Sequence, residues 1–250
     1  MSQRVDARRR TKATTASKLR PFWILFVIGL LIVLGLAAFV VAWPGFAPKS
    51  IAVSGNRLVS RDDIVSHARV SMHTNMWLQD PNAIARRIEE IPYVAQATVH
   101  RLPPATIAVW VTERTPFAIV RAGGNAALVD RDLRVLSPAP AGASSLEFDV
   151  AGNTLPPPGG FLSDPAIVAM RDDYDALLAA HVVPLRLGVD KYGGLVVTIR
   201  GGTQILLGED TGLAKKISLI GPILSQVSGK GRSLAIVDLR APNTPVVRYK

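Results

Sequence analysis

Residues 94–112 read VAQATVHRLPPATIAVWVT and predict a β-hairpin. The second half, residues 106–112, alternates in polarity, with Ile107, Val109 and Val111 on one face. Residues 94–101 have the composition of a strand, and the two prolines at 103 and 104 mark the turn. The sequence therefore predicts two paired strands of a small sheet.

One strand and two helices precede this hairpin. Residues 49–53 form a short apolar strand, and Ser60 followed by Asp63 has the spacing of a capping box that opens a helix. Asp80-Pro81 gives a second helix an N-cap and a proline at its first position. The predicted order is strand–helix–helix–strand–strand, which leaves one sheet face and one edge available.

A long apolar segment lies before the first strand. Residues 22–43 contain no charge, and as a helix they span roughly 33 Å against a hydrocarbon core of about 30 Å. Trp23 and Trp43 fall near the two ends, where indole rings favour the membrane interface. We expect an uncleaved transmembrane helix. A cleavable signal peptide is the alternative, although its apolar region is usually only about 7–15 residues long.

Charge is concentrated before this segment. The 250-residue chain has a formal net charge of +10, and residues 1–20 hold seven basic side chains against one acidic one, or +6. Basic residues beside a membrane helix stay cytoplasmic, so residues 44–250 are expected outside. The tail could contact anionic lipid. This topology argues against nucleic acid as a partner.

Residues 117–250 predict a second module of short strands. Asp164-Pro165 opens a helix to about residue 180, and a last helix covers about 212–227 with Gly221-Pro222 near its middle. Residues 233–240 and 244–249 form a final strand pair. We expect a mixed sheet with helices on one face.

Residues with catalytic potential are scattered. The chain has no cysteine, which excludes disulfides and thiolate chemistry. The four histidines stand apart, no Gly-x-Ser-x-Gly elbow occurs, and residues 228–233 lack the spacing of a phosphate loop. The simplest interpretation of Asp172, Asp173 and Asp175 is that they form the solvent-exposed face of an amphipathic helix. The sequence predicts no enzyme, no metal, no cofactor and no small-molecule substrate.

Several short motifs resemble the FtsQ/DivIB family of bacterial division proteins. In the first module they are Val53-Ser-Gly-Asn56, Leu78-Gln-Asp-Pro81, Ile91-Pro-Tyr-Val94 and Val109-x-Val111-Thr-Glu-Arg114-x-Pro116. In the second they are Leu128-Val-Asp130-x-x-Leu133 and Ile236-Val-Asp-Leu-Arg240. Their order and spacing span nearly all of residues 22–250.

The resemblance implies an α+β fold with a single N-terminal transmembrane helix, a POTRA domain of order β-α-α-β-β and a C-terminal mixed β-sheet domain with flanking helices. The expected divisions are a basic cytoplasmic tail at 1–20, the membrane helix at 21–43, the POTRA domain at 49–116 and an FtsQ-type β-domain at 117–250.

The resemblance also implies a function and partners. It indicates a non-enzymatic divisome scaffold of the cell (inner) membrane, single-pass, enriched at the septum and joined to FtsB- and FtsL-like coiled-coil membrane proteins and other division proteins. Such partners would add a strand at the last β-strand. The implied contact residues are Arg240, Ala241, Asn243, Thr244, Val246, Val247 and Tyr249, with Val99 and Arg101 as a second region.

Two features of the last strand leave its role open. Ala241 stands where the family pattern has tyrosine, and Pro245 cannot donate a ladder hydrogen bond. The strand could be only a terminal strand.

Two other classes of protein also remain: a POTRA-containing transport or assembly module that acts by β-augmentation, and a membrane-tethered wall enzyme.

Overall fold

A computed structural model describes residues 20–140, 142–143, 145–150, 152, 154–209, 211–228 and 233–250. Residues 1–19 of the predicted tail, and residues 229–232 of the segment compared above with a phosphate loop, lie outside this description. The described chain divides into two compact units. The first contains residues up to Ala52 with 70–81 and 100–108, and the second contains 53–69, 82–99 and 109–250.

The first helix, α1, is Arg20–Ala42. Within the described ranges it is the one helix long and apolar enough to cross a membrane, over the 20 residues Trp23–Ala42, and none of this window is buried by protein. A polar aqueous environment would penalise such a surface, whereas lipid tails do not. By length and composition, α1 indicates a single-pass membrane protein. A 3₁₀ turn, Pro44–Phe46, follows it.

The next elements have the predicted order strand–helix–helix–strand–strand. They are β1 (Ser50–Ser54), α2 (Arg61–Ala68), α3 (Pro81–Glu89), β2 (Val94–Leu102) and β3 (Thr106–Glu113). The three strands form a sheet of order β1-β3-β2 in the described chain. The capping box is confirmed, because Ser60 Oγ accepts a 3.0 Å hydrogen bond from Asp63 N–H. Ile107, Val109 and Val111 are buried, as their alternation predicts.

A larger mixed sheet follows. Its strands are β4 (Ala118–Ala122), β5 (Asn125–Val129), β6 (Val135–Pro138), β7 (Leu146–Val150), β8 (Pro184–Val189), β9 (Leu195–Ile199), β10 (Gln204–Gly208), β11 (Leu234–Asp238) and β12 (Val246–Tyr249). Among the described residues their order is β12-β11-β10-β9-β8-β7-β4-β5-β6. The pairs β4–β7, β7–β8 and β10–β11 are parallel, and the others are antiparallel.

Two helices pack on this sheet, α4 (Pro165–Ala179) and α5 (Leu213–Ser228). Asp164 caps α4 as predicted, with its carboxylate accepting from Ala166 N–H at 2.8 Å. Phe148 and Leu187 from the sheet join Met170 of α4 and Ile220 of α5 in one buried cluster. The α+β class, with an apolar helix before two sheets, is therefore confirmed.

The second unit also joins the end of β3 to the larger sheet. Arg114, directly after β3, donates through Nη1 to the carboxylates of Asp130 and Asp132. Arg134 Nη2 donates to the carbonyl of Glu89 at 3.1 Å, at the end of α3. Since Asp130 also accepts from Arg134 N–H at 2.8 Å, one buried carboxylate organises both arginines.

Candidate partner-binding edge

The strand β12 lies at one edge of the larger sheet. In the described chain its one strand neighbour is β11, with which it pairs antiparallel in the register Asp238↔Val246, Val237↔Val247 and Ile236↔Arg248. An edge strand presents backbone N–H and C=O groups on its outer side, and another chain can pair with them. The edge is therefore chemically suited to strand addition.

The opposite edge is covered at the start of β6 by a segment of the same chain. Val135 N–H donates to the carbonyl of Gly160 at 2.8 Å, and Gly159 N–H donates to the carbonyl of Val135 at 2.8 Å. Leu162 N–H donates in the same way to Leu133 at 2.9 Å. These bonds occupy the outer side of the sheet at Val135, the first residue of β6, and at Leu133 just before it. The two edges of the sheet therefore differ in what they offer a partner.

The predicted contact residues divide between a turn and the strand. Arg240, Ala241, Asn243 and Thr244 lie in the β11–β12 turn, closed by a 3.1 Å bond from Thr244 N–H to the Ala241 carbonyl, and Val246, Val247 and Tyr249 lie on β12. Val246 is 64% exposed and Tyr249 is 39% exposed, whereas Val247 is half-buried. Pro245 precedes β12. Because Pro245 lies outside the strand, its lack of an N–H group removes no donor from β12.

Arg240 forms an ion pair at the start of the turn. Its Nε donates to the Asp238 carboxylate at 2.9 Å, and Nη2 reaches the second oxygen. This hydrogen bond lowers the pKa of Asp238 and raises the pKa of Arg240. About half of the Arg240 side chain remains exposed, so its charge is available at the rim of the edge.

Sequence reasoning missed three neighbours of this turn. Lys215 Nζ donates to Asn243 Oδ1 at 3.0 Å and ties the turn to α5. Lys216 is buried and donates to the carbonyls of Leu207 and Glu209. Tyr192, which is 76% exposed, lines a cleft of about 520 Å³ together with Arg240 and Pro242 of the turn. The Lys215-Lys216 pair was visible in the sequence, but its contacts with β10 and the turn are long-range.

The second predicted region lies in a different sheet. Val99 is on β2 and is buried, with 8% of its surface exposed. Arg101 follows on the same strand, and its Nε and Nη2 donate to the carbonyls of Met76 and Gln79. The side chains of both residues thus already have intramolecular roles.

No cluster of metal-ligand type lies at either place. In the parts of the chain that the structure describes, no three histidine or carboxylate side chains converge to hold a metal ion. His67, for example, uses Nδ1 in a 2.9 Å contact with the carbonyl of Asp63 in its own helix. The arrangement at the β12 edge therefore offers backbone pairing, the partly exposed charge of Arg240 and a cleft.

Comparison with known proteins supports the family resemblance. The family model described as the POTRA domain, FtsQ-type, matches residues 46–114. A protein named Cell division protein FtsQ from Mycolicibacterium smegmatis is 26% identical over 231 residues, which are 90% of this chain and 64% of that protein. A protein of the same name from Mycobacteroides abscessus is 26% identical over 230 residues, 90% of this chain and 69% of that protein.

A relative from another organism matches over a shorter region at higher identity. Cell division protein FtsQ of Rhizobium meliloti is 34% identical over 94 residues, which are 38% of this chain and 30% of that protein. The chain thus spans 64% of the length of its M. smegmatis relative and a smaller share of the rhizobial one. The FtsQ-type POTRA match at residues 46–114 and the similarity to FtsQ proteins over 90% of the chain together support the FtsQ family.

Proposed function

We propose that this chain is a non-enzymatic scaffold of bacterial cell division, which binds partner chains by strand addition at β12. The observation that supports this function best is the difference between the two edges of the large sheet. Residues 159–162 cover the start of the β6 edge, whereas β12 has one strand neighbour among the described residues. The relatives' shared name, Cell division protein FtsQ, supplies the cellular process.

The proposed topology follows from the charge distribution. The basic tail at 1–20 stays cytoplasmic, α1 crosses the membrane, and the two sheets lie outside it. A single-pass protein with this orientation can hold partners beside the outer face of the membrane that α1 crosses. As a division scaffold, the chain would be enriched at the septum and would link its partners to the septal peptidoglycan synthesis machinery.

The proposed partners are FtsB- and FtsL-like membrane proteins. A strand from one of them would pair with β12, and the exposed side chains of Val246 and Tyr249 would contact its neighbours. Arg240 at the rim would steer an acidic partner segment and set its register. A second contact at Val99 and Arg101 remains a proposal, and it would use β2, an edge strand of the three-stranded sheet.

Site-specific cross-linking tests the position of the contact. The chain has no cysteine, so Val246→Cys and Val183→Cys in the full chain each provide a single thiol. Both positions are 64% exposed, and Val183 precedes β8, away from either edge in the strand order. With co-produced FtsB- and FtsL-like proteins and a thiol-to-amine cross-linker, we expect adducts from position 246 and not from 183.

A deletion complements the cross-linking. The full chain shortened after Leu239 should lose the partners while circular dichroism shows that it remains folded. Equal binding by the intact and shortened chains would move the interface away from β12. Failure of both to bind would contradict the division scaffold itself.

A further inference from the structure

The end of the membrane helix is capped by a side chain from a distant loop. Asn75 is buried, with 8% of its surface exposed, and its Nδ2 donates to the carbonyls of Val40 at 2.9 Å and Val41 at 2.8 Å. A third, longer contact of 3.3 Å reaches the carbonyl of Trp43. The last carbonyls of a helix lack intrahelical partners. Asn75 therefore satisfies groups that would otherwise require water or headgroups.

The same asparagine also shapes the turn that follows it. Its Oδ1 accepts a 3.0 Å hydrogen bond from Trp77 N–H and so begins the 3₁₀ turn Met76–Leu78. Met76 is fully buried, whereas Trp77 is 43% and Leu78 61% exposed. One amide thus connects the end of α1 to a turn that presents two large apolar side chains to the surroundings.

The position of this turn along the membrane follows from the length of α1. The apolar window Trp23–Ala42 has 20 residues and, at about 1.5 Å per residue, matches a hydrocarbon core of about 30 Å. Trp43 then lies at the outer boundary, where indole side chains are favoured. Since Asn75 contacts the carbonyls of residues 40–43, the turn lies at the same depth. Phe46 contacts Trp77, with ring centroids 6.4 Å apart.

Arg101 holds the turn from its other side. Its Nε donates to the Met76 carbonyl at 2.9 Å and its Nη2 to the Gln79 carbonyl at 2.7 Å. The guanidinium carbon lies 5.6 Å from the centre of the Trp77 ring. A cation over an indole at this depth suits a bilayer interface, where the ring is half-immersed and phosphate groups are near.

We infer that Trp77 and Leu78, fixed by Asn75 and Arg101, dock into the outer interface of the lipid bilayer beside the end of α1. We call Trp43, Phe46, Trp77 and Leu78 the interfacial platform. The platform would set the orientation of the first unit on the membrane. The helix α1 alone would not, because a single chain connection to the residues that follow allows rotation. This inference rests on the membrane-spanning part of the proposed function and not on cell division.

Quenching of tryptophan fluorescence by brominated lipid tests the inference. The chain has four tryptophans, so full chains that keep only Trp77, only Trp43 or only Trp110 can be made by Trp→Phe changes. Trp110, on β3, is 45% exposed and is thus matched to Trp77 at 43%. The chains are placed in bilayers of phosphatidylcholine and phosphatidylglycerol, with or without phosphatidylcholine brominated near the top of its acyl chains.

We expect quenching of Trp77 to be at least about twofold stronger than that of Trp110, and its quenching by aqueous iodide to be correspondingly weaker. Trp43 reports insertion of α1. Quenched Trp43 with Trp77 as iodide-accessible as Trp110 would overturn the platform and leave the anchor in place. Unquenched Trp43 would overturn the anchor and the platform together.

The role of Asn75 is tested in the chain that keeps only Trp77. Asn75→Ala removes the bonds to α1, and we expect it to reduce quenching by brominated lipid by about half or more. Asn56→Ala is the matched control, because Asn56 Nδ2 bonds to the carbonyl of Val59 within its own loop. Circular dichroism checks that both variants fold. Unchanged quenching in folded Asn75→Ala would refute the positioning role.

Discussion

Arg114 Nη1 donates to the buried carboxylate of Asp130, and so connects the end of β3 in the first sheet to the end of β5 in the second. Only 14% of the Arg114 side chain and 5% of the Asp130 side chain are exposed. Burial disfavours the charged guanidinium and is the largest single effect, but the hydrogen bonds and negative charges of Asp130 and Asp132 together outweigh it and raise the pKa of Arg114. The motifs at residues 109–116 and 128–133, which contain these two residues, are thus in direct contact.

Removal of Arg114 should destabilise the second unit strongly. Arg114→Ala leaves the Asp130 carboxylate buried with one charged partner fewer, and we expect a loss of about 3 kcal/mol in the free energy of unfolding. Urea denaturation of the detergent-solubilised chain measures it. The control is Arg131→Ala, whose ion pair with Asp175 is exposed and screened by water. Equal losses in the two variants would contradict a special role for the buried pair.

Glu113 should make stability depend on pH. Its carboxylate accepts from the backbone N–H groups of Arg57, Leu58 and Val59 at 2.9–3.1 Å. Burial by itself would raise the pKa of Glu113. The three backbone donors and the charge of Arg57 together have a larger, opposite effect, so the folded-state pKa lies below the ordinary value. The carboxylate therefore contributes stability above its unfolded pKa, and this contribution is lost as pH falls through the folded pKa.

The variant Glu113→Gln isolates this effect. We expect it to unfold more easily than the wild type at pH 7, by about 1–3 kcal/mol, because the charged acceptor of three donors is lost. Below the folded pKa of Glu113 the two proteins should converge. A difference in unfolding free energy that stays constant from pH 7 to pH 3 would contradict the assignment.

Gly55 should tolerate no side chain. It has φ +88°, and a Cβ at this position would lie 2.1 Å from the carbonyl oxygen of Val111. Gly55→Ala must therefore shift backbone, at an expected cost of about 3 kcal/mol or more in unfolding free energy. Gly124, with φ +82° and open space around it, is the matched control. Its change to alanine should cost only about 1–2 kcal/mol. Similar losses would refute the clash.

Arg240 should affect association more than folding. Its pair with Asp238 is largely exposed, so Arg240→Ala should leave the unfolding midpoint nearly unchanged. If β12 is the partner-binding edge, the rate of association with an acidic partner should fall several-fold at low salt, and the difference should shrink at high salt. Stopped-flow or surface-based kinetics at two ionic strengths would show this. A salt-independent loss would contradict steering.

Local signals in the sequence predicted most elements of the fold. The Ser60 and Asp164 caps, the alternation at residues 106–112 and the uninterrupted apolar run before Trp43 each depend on neighbours within a few residues. Helix caps, strand periodicity and membrane spans are local properties of the chain. Residue type and spacing were therefore sufficient for the order of elements and for the final strand pair.

Contacts between distant residues could not be read in this way. Arg114 and Asp130 were recognised as motif residues, but the hydrogen bond between them was not predicted. Nothing in the sequence around Asn75 indicates that its side chain caps a helix that ends at Ala42. The sequence by itself determined which segments are helix, strand and membrane span. Only the tertiary structure decided that residues 159–162 cover the start of β6 and that β12 lies at an edge, because strand order is set by long-range hydrogen bonds and packing.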